Sequence, residues 1–345
     1  MEPSDSATPG LDLASVSAWL GERVPDLEPP LVAERLAGGR SNLTYLLTDA
    51  GGRRAVLRRP PLGDLPATAH DVLREARLLT GLDGGDVPVP RVLAACDDLS
   101  VSGGPFFVMD HLDGRIVQNR ATAEALDADT RAAVGPGLVD ALVSLHATDP
   151  DLLGLGALAE RRDYASRQLR RWQGNWETTR TRDLPDLATA HAWLEEHQPE
   201  QRRSSIVHGD FRVDNCMLGA DGRVLGILDW ELTTVGDPLA DLGQLLVYWA
   251  EPDDDFTALN DPPTRVPGYA TRADLVERYV AATGADATDV AYYVVFNWWK
   301  TACIVEDVYS RMLRGAMGAS DRTPESFGQQ AAALAARAVQ AIERP

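Results

Sequence analysis

Residues 206–218 read IVHGDFRVDNCML, and residues 227–231 read ILDWE. Each is a short apolar run that ends on polar groups: His208, Asp210, Asp214 and Asn215 in the first, Asp229 in the second. The GADGR between CML and VLGILDW has the Gly and Asp content of a turn, so the spacing predicts a hairpin that returns Asp229 beside Asn215. Taken singly, such Asp and Asn residues are ordinary turn and cap residues. Their combination at two strand ends asks for a chemical reason.

Upstream, residues 11–22 have helical spacing, and LVAERLAGG, NLTYLLTD and RRAVLRRPP read as three strands separated by GGRS and the hairpin signal AGG. HDVLREARLLTGL is an amphipathic helix, with Val72, Glu75, Ala76, Leu79 and Leu82 on one face. PRVLAACDD and GPFFVMDHL follow as two more strands. A glutamate on an apolar face needs a partner. Residues 1–113 thus read as a small antiparallel sheet lobe. From about residue 121 the pattern turns helical, so 114–345 reads as a mostly α lobe around the 206–231 strand pair. The acidic, proline-rich segment AEPDDDFTALNDPPTRVPG has neither period and is expected to be a surface loop.

A strand ending in His-x-Asp, then Asn five residues after the Asp, with a return strand ending in Asp, suits phosphoryl transfer. One carboxylate accepts or orients the proton of an attacking hydroxyl, while an amide oxygen and a second carboxylate hold magnesium against the phosphates. Asp210, Asn215 and Asp229 fit those roles. The pattern resembles the kinase signature H-R-D-L-x-x-x-N with D-F-G, with Gly209 in place of Arg and Asp-Trp-Glu in place of Asp-Phe-Gly. HGDFRVDN, LDWE and GDPLADLG together resemble the aminoglycoside phosphotransferase and choline kinase-like family, over about residues 30–315.

That resemblance implies an α+β, protein kinase-like two-lobe fold and an enzyme that moves the γ-phosphoryl group of ATP, with Mg2+, to a small-molecule hydroxyl. It implies a phosphate loop at Gly38 and Gly39, which also read as a plain hairpin turn. Arg58 stands where the family usually has lysine, paired with Glu75; Asp110, His111 and Leu112 match the hinge that would meet adenine through its backbone. His208 is expected to brace its loop, Asp237 to cap a helix, Asp241 to brace the catalytic loop, and His146 to pack within its helix.

The net charge of −19, with 44% apolar and 25% charged residues, describes a folded protein and disfavours nucleic acid or an anionic membrane as partner. The start MEPSDSATPG lacks the features of a secretory signal, and the reading is cytoplasmic. Cys96, Cys216 and Cys303 are widely spaced and suggest reduced thiols. Of 33 basic residues only Lys300 is a lysine. The acceptor is open on sequence. Residues 161–182 hold seven arginines against Asp163 and Glu177, a net +5, including Arg167, Arg170 and Arg171 beside Trp172. This suits a phosphate-bearing ligand, or it is a solvated helix face. It resembles the family branch associated with acyl-CoA dehydrogenases, which implies a hydroxyacyl-CoA acceptor and a functional link to such a dehydrogenase. An aminoglycoside, a choline- or homoserine-like amino alcohol, and a non-catalytic nucleotide binder are the alternatives.

Overall fold

The computed structural model describes residues 10–36, 42–61, 71–151, 162–315 and 322–343. The chain forms two compact units, Met1–Gly114 with Leu225–Glu231, and Arg115–Val224 with Leu232–Pro345. The sequence division at residue 113 had kept 225–231 with the helical part.

In the first unit, α1 (Leu13–Gly21) precedes β1 (Val32–Arg35), β2 (Leu43–Thr48) and β3 (Arg54–Arg59). Then come α2 (Val72–Leu82), β4 (Val92–Cys96), the short α3 (Leu99–Ser102) and β5 (Phe106–Asp110). The strands form one antiparallel sheet in the order β1-β2-β3-β5-β4. Period-2 alternation sorts its side chains. Ala55 and Leu57 join Tyr45, Leu47, Phe106 and Val108 in a core closed by Val16 and Leu20 of α1. Arg59 shares their parity and is buried, donating to the carbonyl and hydroxyl of Ser102 at 2.9 and 3.0 Å. Arg58 has the opposite parity. α2 is capped by Asp71, which accepts the Arg74 N–H at 2.9 Å, and it buries the five face residues expected of it, Glu75 included. Gly226 lies so close to Leu112 that a Cβ there would come within 2.3 Å of Leu112 Cδ1, and Ile227 N–H donates to the Pro88 carbonyl at 2.8 Å.

The second unit begins with α4 (Arg120–Glu124), α5 (Ala128–Ala147), α6 (Tyr164–Thr179) and α7 (Pro185–Glu196). β6 (Ser205–Val207), β7 (Cys216–Leu218), β8 (Val224–Ile227, whose last three residues belong to the first unit) and β9 (Thr234–Gly236) follow. The chain ends with α8 (Leu239–Tyr248), α9 (Arg272–Thr283), α10 (Val290–Leu313) and α11 (Pro324–Glu343). The partner of β6 is not the ILDWE strand: β6 pairs antiparallel with β9, Ile206 opposite Val235. The GADGR turn forms, with Gly219 N–H donating to the Arg223 carbonyl at 2.8 Å.

α8 and α10 are locked in register. Asn297 of α10 donates to the Ala240 carbonyl at 3.0 Å, and a Cβ on Gly243 would come within 2.7 Å of the Tyr293 backbone. Trp249, Tyr293, Phe296 and Trp299 are buried around this pair. The segment after α8 is irregular, as expected, but it is not merely a surface loop. Glu251 and Asp254 both bind Arg272, Thr264 is buried with its hydroxyl on the Ala250 carbonyl, and Ala258 and Val266 are buried. Two of its four acidic side chains in 251–255 are thus spent on fixing the start of α9, while Asp253 and Asp255 are exposed. Among the described residues no helix is long and apolar enough to cross a membrane.

Candidate active site

In the second unit, the chain after β6 makes a turn whose backbone is fixed at several atoms. Gly209 has φ +85, and a Cβ would come within 2.9 Å of the Leu232 carbonyl, so a side chain is excluded on both counts. The N–H groups of His208 and Gly209 donate to the two carboxylate oxygens of Asp241 at 2.6 and 2.8 Å. Asp241 is fully buried in the first turn of α8 and also meets His146 Nε2 at 3.3 Å; His146 Nδ1 lies 2.7 Å from the Tyr279 hydroxyl. These partners assign the proton of His146 to Nε2, so that Tyr279 donates to Nδ1. Burial pushes the Asp241 carboxyl up, but the hydrogen bonds it accepts from His146 Nε2 and the Gly209 N–H outweigh it and hold it below the usual range. His208 is buried, and its Nδ1 accepts the Asp210 N–H at 3.3 Å. Asp237 accepts the Leu239 N–H at 3.0 Å, a capping bond at the start of α8.

The Asp210 side chain projects from this turn, one quarter exposed. Its Oδ1 accepts from Gln244 Nε2 at 2.7 Å and its Oδ2 from Asn215 Nδ2 at 2.9 Å, with Arg212 Nε at 3.4 Å. Because a carboxylate only accepts, it fixes both amides with their N–H2 groups inward. Asn215 Nδ2 also binds the Asp210 carbonyl at 2.8 Å, so Asn215 Oδ1 is left as its remaining oxygen.

The first unit holds a second polar cluster. Arg58 Nε lies 3.0 Å from Glu75 Oε2, and Arg58 Nη2 donates to Asp229 Oδ1 at 2.5 Å. The pairing follows from parity: Arg58 faces α2 where Arg59 faces the core. Burial would lower the Arg58 pKa, but the charges of Glu75 and Asp229 raise it, so the guanidinium is firmly ionised. Burial pushes the Glu75 carboxyl up to about 7 against the pull of Arg58, with Asp229 and Glu231 adding to the rise. Asp229 has φ 67, a left-handed conformation that a non-glycine residue adopts at a cost of about 1–3 kcal/mol. Such strain persists only where the surroundings over-determine it.

Other sequence candidates fare unevenly. Gly38 and Gly39 lie outside the described residues. The Asp110 N–H is already bonded to the Arg91 carbonyl at 2.9 Å, so it does not serve a base edge, and the Asp110 carboxylate binds Arg91 and Arg53. Leu112 offers a carbonyl that accepts the Gly114 N–H at 3.1 Å, and burial pulls the His111 pKa down, helped by Arg54. In the arginine-rich segment, Arg161 is outside the described residues. Arg167 does not face solvent as a free cation: it donates to the Val235 carbonyl of β9 at 3.0 Å and to the Arg162 carbonyl. Arg182 is bound to fully buried Glu306 at 2.9 Å. Arg170 and Arg171 are exposed on α6, with Arg171 lying 5.3 Å from the Trp172 ring centre.

The sequence reading missed two residues. Gln244 follows Asp241 by three positions and therefore shares its face of α8, a spacing that could have marked it. Lys300, remote in sequence on α10, is buried with Nζ 3.0 Å from the Gly209 carbonyl. Its only signal was being the sole lysine.

The sequence pattern of the phosphotransferase enzyme family, APH, matches residues 32–291, three quarters of the chain. The chain belongs to that family. This APH-family phosphotransferase is 32% identical over 301 residues to mouse acyl-CoA dehydrogenase family member 10, covering 86% of this chain. With rat acyl-CoA dehydrogenase family member 11 it shares 30% over 320 residues and 90% of this chain. It spans only 28% and 41% of those two proteins. A crystal structure of a candidate aminoglycoside phosphotransferase from Ralstonia eutropha aligns with TM-score 0.81 and 27% identity over 97% of this chain and 99% of that one. A streptomycin–ATP complex of APH(2")-IIa shares the fold at TM-score 0.59 and 17% identity, over 92% of this chain and 98% of that one. The kinase-like fold of the APH family, with its five-stranded antiparallel sheet followed by a mostly helical region, is thereby established, and solved members of that fold bind nucleotide.

Proposed function

We propose that this APH-family chain transfers the γ-phosphoryl group of ATP to a hydroxyl of a small molecule, with Asp210 as general base. The observation that carries the reading is the pair of neutral amide donors, Gln244 and Asn215, that hold one oxygen each of an otherwise accessible carboxylate. The two amides orient Asp210, and although Arg212 Nε lies 3.4 Å from its Oδ2, that contact is not the bidentate fork that would quench its basicity. In the step, the acceptor oxygen forms a bond to Pγ, the bond from Pγ to the ADP oxygen breaks, and the hydroxyl proton passes to Asp210.

Mg2+ suits the oxygens present. Asn215 Oδ1 and the Asp229 carboxylate are hard oxygen donors, and magnesium needs only one or two protein ligands besides phosphates and water. Among the described residues no cluster of three or more His, Cys, Asp and Glu side chains is arranged to hold a metal alone. Bound there, magnesium would supply neutralisation of the phosphate charge. Arg58, held by Glu75, is the candidate cation for the nucleotide phosphates, and Gly38 and Gly39 the phosphate loop. The backbone of His111 and Leu112 is the part of the hinge still suited to adenine. GTP is the alternative donor.

For the acceptor, a hydroxyacyl-CoA is supported by the exposed Arg170 and Arg171 with Trp172, and by the likeness to acyl-CoA dehydrogenase family members. The likeness to a candidate aminoglycoside phosphotransferase favours a second reading, an aminoglycoside or other amino alcohol. We take the enzyme to be cytoplasmic. Incubation with ATP, Mg2+ and a panel of CoA thioesters, aminoglycosides and amino alcohols, read by mass spectrometry, tests all of this. Phosphoryl gain by a hydroxyacyl-CoA is expected. Gain only by aminoglycosides replaces the acceptor, and no gain by any compound under conditions where nucleotide binds argues for a non-catalytic binder.

A further inference from the structure

The least expected charge in the second unit is Lys300. It is only 6% exposed, on a helix whose neighbouring side chains Phe296, Trp299 and Cys303 are apolar, and its one hydrogen bond among the described residues goes to the Gly209 carbonyl. An ammonium carries three N–H donors and is costly to bury with only a neutral acceptor. A methionine of similar length would pack there without that cost. The surroundings nonetheless fix it closely. Asn297, one turn earlier on α10, ties that helix to the Ala240 carbonyl of α8, and α8 carries both Asp241 and Gln244. The same tie therefore sets Lys300 relative to the groups that hold Gly209 and Asp210.

We propose that Lys300 is a positioning residue for phosphoryl transfer: its ammonium clamps the Gly209 carbonyl and so fixes the turn from which Asp210 projects. This rests on the reading of Asp210 as the base. Gly209 is then held from both sides, its N–H by Asp241 and its carbonyl by Lys300, with the catalytic carboxylate on the next residue. Arginine would be the ordinary choice in a chain with 33 basic residues and one lysine, so a lysine here marks a site where a compact charge fits and a planar fork does not.

The charged groups facing Lys300 are Asp210 and Arg212 on the turn, Asp241 on α8 and Arg171 on α6. Burial pulls the ammonium down to about 8, the two aspartates oppose this, and the two arginines add to it. The sign follows. The ammonium is present below pH 8 and is lost as the pH rises through 8, so turnover should fall on that alkaline limb.

Being the only lysine, Lys300 can be read directly. In protein labelled with 13Cε-lysine, one resonance should titrate with a midpoint near 8 in the wild type. In Asp210→Asn, which removes a charge that favours the ammonium, the midpoint should drop by about half a unit or more. An unchanged midpoint would overturn the proposal whatever the activity. In Lys300→Met that remains folded by circular dichroism, kcat for ATP consumption with Mg2+ should fall about tenfold or more, KM for ATP should hold, and the limb near pH 8 should vanish. Retention of kcat and of that limb would equally overturn it. Wild-type turnover in Asp210→Asn would instead remove the base assignment, a separate result from the titration.

Discussion

The turn at 207–215 and the segment at 161–182 are both dense in charge, yet only in the turn do the charges converge on the backbone beside one accessible side chain. In the turn, buried Asp241 binds two backbone N–H groups and Lys300 binds a backbone carbonyl, so each charge fixes main chain around Asp210. In the arginine-rich segment, Arg167 and Arg182 are spent on a β9 carbonyl and on Glu306, while Arg170 and Arg171 reach solvent. Charge density alone therefore does not mark a ligand site. What distinguishes the turn is a carboxylate left partly accessible while its neighbours fix the backbone around it.

Substitutions can break this comparison. Asn215→Ala and Asp229→Ala should weaken Mg2+-dependent ATP binding about 10- to 100-fold each, the scale of losing a metal ligand or the group that orients it, with little effect on magnesium-free binding. Calorimetry giving wild-type affinity for both would remove the metal assignment. In the arginine-rich segment, Arg182→Ala should act on stability and not on substrate, at about 2 kcal/mol, because it strands the buried Glu306 carboxylate while Arg182 itself is partly exposed. Thermal denaturation would show this as a lowered Tm; an unchanged Tm with a raised acceptor KM would make Arg182 a ligand residue. The smallest effect belongs to the exposed pair. Arg170→Glu with Arg171→Glu should leave Tm and KM for ATP as they are, raise KM for an acyl-CoA, and make that KM less sensitive to salt. Wild-type behaviour towards the acyl-CoA would reduce the patch to a solvated helix face.

The same contrast explains what could be seen in sequence. The fold and the HGD turn were legible because the strands of the first unit alternate cleanly and because His208, Asp210, Asn215 and Asp229 sit at fixed distances along one stretch of chain. Glu75 was legible through helical spacing, a period that survives without a structure, and Arg58 through the family resemblance, which puts a cation on that strand. β9 was not, since Thr234–Gly236 is too short to show a period, and so the partner of β6 was misassigned. Asp110 reads as part of the hinge backbone with His111 and Leu112, and sequence does not show that the Arg91 carbonyl takes its N–H. Gln244 and Lys300 act from helices far along the chain, and only packing brings them to Asp210 and Gly209. Net charge overstated the arginine-rich segment because it counts cations without seeing that a carbonyl or a buried glutamate has claimed them.

The central claim is that Asp210 acts on the acceptor and not on the nucleotide. Asp210→Asn is close to isosteric and removes the base at nearly constant shape, although its NH2 replaces one of the oxygens that accept from Gln244 and Asn215, so one of those amides must turn its oxygen inward. Measured side by side, ATP affinity by calorimetry should stay within about twofold of wild type, while phosphoryl transfer should fall by about 10²- to 10⁴-fold, the usual worth of a general base. Transfer at the wild-type rate in that variant would contradict the account.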